Sequence, residues 1–132
     1  MTEVSPSYNA NFFDYYGWKS FAMILRVIDG DTVEMSYFLP YMKQPMKCKA
    51  RLFGIDTPEL CPRLCKPNRC DEISRAKDAK RYLKEMIEGK TISFRCEGFD
   101  KYGRMLCVFF NEHEENVNDL LIKDGHAVVY SD

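Results

Sequence analysis

The stretch FAMILRVIDGDTVEMSYFL, Phe21 to Leu39, decides the fold. Phe21 to Ile28 is a nearly continuous apolar run, and Asp29-Gly30 is a strong tight-turn dipeptide. Val33, Met35, Tyr37 and Leu39 then alternate with Thr32, Glu34, Ser36 and Phe38. An apolar run and an alternating run joined by such a turn predict an antiparallel hairpin with one buried face. After the segment Pro40 to Pro45 the alternation resumes, with Met46, Cys48, Ala50 and Leu52 on one side and Lys47, Lys49 and Arg51 on the other. This predicts a third strand whose outer face carries three cations.

Farther along, the hydrophobic period changes. Between Asp71 and Glu88, the residues Ile73, Ala76, Ala79, Leu83, Met86 and Ile87 recur at three- and four-residue intervals. That spacing predicts an amphipathic helix, with Arg81–Glu85 and Lys84–Glu88 as i,i+4 pairs on its wet side and Gly89 as its stop. Two more strands, about residues 91–97 and 105–110, flank a turn at Asp100 to Arg104. A short helix with Asn116 as N-cap and Gly125 after its end follows, and Ala127 to Tyr130 returns to extended structure. The order of elements, without βαβ alternation, predicts a mainly β chain with helices (α+β). The expected architecture is a five-stranded OB-type β-barrel with a helix across its end.

The chain of 132 residues is 45% hydrophobic, enough for one modest core. Its expected organisation is an aromatic-rich extension over residues 1–19 and a barrel domain over 20–132. Phe12, Phe13, Tyr15, Tyr16 and Trp18 of the extension are expected to cover the barrel. A formal net charge of -1 provides no general field for polyanions, so anion binding must be local. The first sixteen residues have no basic n-region followed by an apolar run, and no window is long and apolar enough to span a membrane. The expected location is therefore intracellular, where the six cysteines are free thiols or metal ligands. Residues 60–70 read as an exposed loop containing Cys61, Cys65 and Cys70. Three reduced thiols are expected there, with zinc or a disulfide as the alternatives. His113-Glu114-Glu115 reads as a solvated turn and His126 as structural.

Three short motifs carry chemistry: Asp29-Gly30-Asp31-Thr32, Arg51 with Asp56-Thr57-Pro58-Glu59, and Asp100-Lys101-Tyr102-Gly103-Arg104. Together they place the carboxylates Asp31, Asp56 and Glu59 and the guanidinium groups of Arg51 and Arg104 beside turns. A hard cation needs oxygen ligands, a water needs a base, and charge building on phosphorus needs fixed cationic donors. The set therefore suits metal-assisted phosphodiester cleavage. Asp29 and Asp100 read as turn residues. Lys47 and Lys49 weigh evenly as a nucleic-acid track beside Arg51 or as a solubilising face.

In order and spacing these motifs, with Val117-Asn118 beyond them, resemble the thermonuclease family, the staphylococcal nuclease-like proteins, over about residues 20–130. The resemblance implies a calcium ion held by Asp31, Asp56 and the main-chain carbonyl of Thr57. It implies that Glu59 orients or deprotonates the attacking water and that Arg51 and Arg104 bind the scissile phosphate. Lys101 and Tyr102 would contact the neighbouring phosphate and sugar. The implied activity is endonucleolytic cleavage of DNA and/or RNA at the 5′ oxygen, leaving 3′-phosphate ends, with single strands favoured. The alternative is a non-catalytic OB-fold module binding single strands or a protein; the completeness of the five-residue set argues against it. Tyr130 falls about one residue early against the family's substrate-flanking tyrosines, and the Cys61, Cys65, Cys70 cluster has no counterpart there. The family's terminal helix is also missing, so stability is expected to lean on the N-terminal aromatic segment.

Overall fold

A computed structural model describes residues 15–39, 43–60 and 68–131. Strands β1 (Lys19–Asp29) and β2 (Thr32–Phe38) form the expected hairpin, and β3 (Pro45–Leu52) pairs with β2 in the same antiparallel sheet. After the short β4 (Ile55–Asp56) comes helix α1 (Arg69–Ile87), then β5 (Thr91–Phe99), β6 (Met105–Phe110), α2 (Val117–Lys123) and β7 (Val128–Val129). The barrel closes in the order β1-β2-β3-β6-β5, with β3 and β6 parallel through Ala50↔Met105, Arg51↔Leu106 and Leu52↔Cys107. This is the five-stranded barrel of the OB type. β4 and β7 make a separate two-stranded sheet, a pairing the sequence did not announce because two residues carry no period.

The alternation in β2 and β3 gives the buried faces directly. Val33, Met35, Ala50 and Leu52 are inside, meeting Ile24, Phe94, Met105 and Phe109 from the other strands. Helix α1 lays Ala76, Ala79, Leu83 and Ile87 against the barrel, and Gly89, at φ +77°, ends it with an amide donated to the Ile24 carbonyl. One expected surface pair is corrected: Arg81 turns back to Asp78 at 2.8 Å instead of forward to Glu85, one helical turn closer to the N-terminus. Lys84–Glu88 is present at 3.8 Å. Glu88 also has a structural task, because its Oε2 accepts the Val27 amide at 2.9 Å where the β1 ladder is interrupted.

At the far end of the barrel, Trp18 packs edge-on to Phe94 and Tyr37, with ring centroids 5.5 and 6.0 Å away. Tyr15 then lies 5.6 Å from Trp18 and 5.7 Å from Phe99. These two aromatics cover the barrel as expected, whereas Tyr16 is exposed; Phe12 and Phe13 lie outside the described residues. Cys48, Cys107 and Cys70 are free thiols, and Cys96 is buried in the core. Burial pushes the Cys48 thiol up to about 11 and that of Cys107 well above the usual range, so both stay protonated. Cys70 is exposed at the start of α1, and Cys61 and Cys65 lie outside the described residues. Among the described residues no helix is long and apolar enough to cross a membrane.

Helix α2 buries Val117 and Leu121 in the core and is fastened by one buried polar side chain. Asn118 donates from Nδ2 to the carbonyls of Phe53 at 2.8 Å and Cys107 at 3.0 Å, while its Oδ1 accepts the Phe109 amide at 3.3 Å. It therefore joins α2 to β6 and to the turn between β3 and β4. The cap beneath it is as expected, with Asn116 accepting the Asp119 amide at 3.0 Å.

Candidate active site

The β1–β2 turn is organised by Asp29, whose Oδ1 accepts the Asp31 amide at 3.1 Å. Gly30 between them is required by close approach. A Cβ there would stand 2.9 Å from the Ala79 Cβ and 3.0 Å from the Thr57 Oγ1. The turn is thus docked at once on α1 and on the buried Thr57, which brings Asp31 to the segment carrying Asp56. Thr32 donates its hydroxyl to Asp31 Oδ1 at 3.1 Å and pairs across the sheet with Arg51.

Arg51 stands at the centre. Its Nη2 lies 3.6 Å from Asp31 Oδ2 and 3.5 Å from Asp56 Oδ1, so one guanidinium nitrogen spans two carboxylates. Its Nη1 is buried and has no hydrogen-bond partner. The guanidinium sits over the ring of Tyr130, 5.2 Å from the centroid. Tyr130 was the position the sequence left open. The structure brings it to Arg51 because β7 pairs with β4 and the Tyr130 amide donates to the Gly54 carbonyl at 2.9 Å.

Arg51 and Tyr130 line a cleft of about 510 Å³ together with Lys101, Tyr102 and Arg104. The β5–β6 turn is held by Asp100. Its Oδ1 accepts the amides of Tyr102 and Arg104, both at 2.9 Å, and its Oδ2 accepts Arg104 Nε at 2.6 Å. Burial alone would raise the Asp100 carboxyl, but these bonds outweigh it and hold the group below its ordinary value. Asp29 and Asp100 are thus turn residues, as read from the sequence. Tyr102 is 73% exposed, with Lys101 Nζ and the Arg104 guanidinium 5.2 and 5.7 Å from its ring centre.

Glu59 is placed apart from the cleft lining, exposed on the loop after β4. Its amide donates to Oε1 of Glu72 at 3.3 Å. Glu72 is buried, and sequence reasoning missed it. Its signal was a carboxylate in register with Ala76, Ala79 and Leu83 on the apolar stripe, where a charged residue needs a reason. His126 packs on Tyr82 with centroids 4.5 Å apart and lines a second pocket together with Asp56, Thr57 and Glu72, whereas His113 sits in a turn organised by Asn111.

Electrostatically, Asp31 is the unusual group. Burial, then the hydrogen bond and charge of Asp29, push its carboxyl up to about 7, against the opposing pull of Arg51. The folded protein therefore holds this proton more tightly than the unfolded chain between about pH 4 and 7. The resulting stability is fully present below the ordinary value of 3.8 and is lost as pH rises through about 7. In chelator, the melting temperature is expected to fall over this window in wild type relative to Asp31→Asn. Parallel profiles for the two proteins would contradict the assignment.

Among the described residues no three or more His, Cys, Asp or Glu side chains gather as a metal cluster. The carboxylates brought together here are those of Asp31 and Asp56, which share Arg51 Nη2. Asp31 is buried, and the Arg51 nitrogen that reaches it is shared with Asp56, so two carboxylates stand against one guanidinium and an added cation would fit the charge balance.

The sequence model of one family, staphylococcal nuclease homologue, matches residues 49–132. An uncharacterized endonuclease of Escherichia coli O157:H7 is 30% identical over 81% of this chain and 59% of its own length. Endonuclease YhcR of Bacillus subtilis (strain 168) is 33% identical over 80% of this chain, which spans only 8% of that protein. An uncharacterized protein of Methanocaldococcus jannaschii is 30% identical over 96% of this chain and 67% of its own. With the barrel, the motif geometry and the family match over residues 49–132 in agreement, the chain belongs to the staphylococcal nuclease homologue family.

Proposed function

We propose that this domain is a calcium-dependent endonuclease that hydrolyses phosphodiester bonds of DNA and/or RNA, favouring single strands. The observation that carries the reading is Arg51. It shares one nitrogen between Asp31 and Asp56, has a second buried nitrogen without a partner, and lines the same cleft as Arg104. An orphaned guanidinium donor beside a second arginine suits the non-bridging oxygens of a phosphate.

Asp31 and Asp56, with the Thr57 carbonyl, would hold the cation. When bound, a hard divalent ion supplies Lewis-acid polarisation of a phosphoryl oxygen. Arg51 and Arg104 bind the scissile phosphate and stabilise the charge that develops on its equatorial oxygens. Glu59 takes a proton from the attacking water; the water oxygen bonds to phosphorus as the bond to the 5′ oxygen breaks. The leaving oxygen is protonated by solvent, and the phosphate stays on the 3′ side. Lys101 and Tyr102 position the adjacent phosphate and sugar. Glu72, through the Glu59 amide, holds the backbone that carries the base.

The test is cleavage of a fluorescent single-stranded oligonucleotide, with calcium or with chelator, by wild type, Glu59→Ala and Arg104→Ala. Calcium-dependent cutting that falls about 10²-fold or more in each variant is expected. Binding without cutting in every arm would make the domain a single-strand binding module.

A further inference from the structure

Outside the cleft, the outer face of β1, β2 and β3 is unusually apolar and unusually basic at once. Phe21 and Phe38 are 68% and 54% exposed, and Met23 beside them is 47% exposed. Ala22 pairs with Tyr37 and Met23 with Ser36, so the next step of the register sets Phe21 beside Phe38. The same rows continue onto β3 as Phe38↔Pro45, Ser36↔Lys47, Glu34↔Lys49 and Thr32↔Arg51. Lys47, Lys49 and Arg51 therefore follow one another on one face at intervals of about 7 Å, running from the aromatic pair to the cleft. Arg26 and Lys47 both reach Glu34, at 3.6 and 3.2 Å, but one carboxylate there stands against three cations, Arg26, Lys47 and Lys49. The strip is positive on a chain whose net charge is -1.

We propose that this face is an extended track for single-stranded nucleic acid, on which Lys49 and Lys47 follow the backbone leaving Arg51 and Phe38 and Phe21 stack bases at the far end. The inference rests on the nuclease reading for its starting point at Arg51. A backbone-following line of cations ending in exposed aromatics is the arrangement by which OB folds hold single strands without reading sequence, with site sizes on the order of 4–16 nucleotides. Phe21, Met23 and Phe38 form an exposed apolar patch where the solvent side of a half-buried strand is ordinarily polar, which marks an interaction site.

The experiment compares binding of fluorescein-labelled 16-nucleotide and 3-nucleotide thymidine strands in chelator, with strand integrity checked afterwards on a gel. Phe21→Ser with Phe38→Ser is expected to shrink the advantage of the long strand over the short one by about tenfold or more. Lys47→Gln with Lys49→Gln is expected to lower the slope of log affinity against log salt by about 1.4. Lys77→Gln with Lys123→Gln, which removes equal charge elsewhere, is expected to leave the length advantage in place. An unchanged length advantage in the phenylalanine variant would overturn the track. So would a wild-type dimer that Phe21→Ser dissolves, which would give the face to a second copy. Absence of cutting with calcium would sink the nuclease reading alone, since length-dependent binding is read without turnover.

Discussion

Arg51→Lys is expected to lower single-turnover cleavage by about 10²- to 10³-fold while leaving the melting temperature nearly unchanged. The two effects separate because Arg51 has two tasks. As a cation between Asp31 and Asp56 it can be replaced by an ammonium group, which is also a point charge. As the owner of a buried, unpartnered Nη1 next to a shared Nη2, it cannot, because lysine lacks the planar fork. Arg104→Lys is expected to behave alike, since Nε of Arg104 is gripped by Asp100 at 2.6 Å and this hold aims the rest of the guanidinium into the cleft. Turnover within threefold of wild type in Arg51→Lys would remove that residue from the reaction.

Asn118→Ala acts on the fold. It removes three hydrogen bonds from a side chain that is 3% exposed, leaving the Phe53 carbonyl and the Phe109 amide without this partner. The Cys107 carbonyl is less affected, because it also accepts the Phe53 amide at 2.8 Å. A loss of about 2–4 kcal/mol is expected, or a melting temperature lower by about 10 °C. Asn118→Asp is expected to be at least as damaging, since a carboxylate cannot donate to the two carbonyls and would face them as a like charge. Because Phe53 leads into β4 and Asp56, cleavage should fall with stability in both variants. Scanning calorimetry that finds Asn118→Ala within about 2 °C of wild type would contradict the role given to this strut.

Legibility in the sequence followed the range of the interaction. The β1–β2 hairpin, the faces of β2 and β3, the stripe of α1 and the caps at Asn116 and Gly89 were readable because periods of two and 3.6 and short-range caps are local. The hydrogen-bonding roles of Asp29 and Asp100 were readable for the same reason, since each closes a turn within a few residues. The Arg81–Glu85 pair failed where two acidic partners, at i−3 and i+4, competed for one flexible cation.

The sequence by itself determined the barrel strands, the helix and the motif residues placed at turns, because backbone periodicity and turn chemistry are written in neighbouring positions. Only the tertiary structure decided that Arg51 bridges Asp31 and Asp56 and lies over Tyr130, that Glu72 is buried beneath the Glu59 backbone, and that Phe21 and Phe38 are exposed on the outer face of the hairpin. Each of those depends on strand register, on the β4–β7 pairing or on the docking of α1 against Gly30. These are contacts between residues far apart in the chain, whose free energy comes from closing the barrel and leaves no local pattern to read.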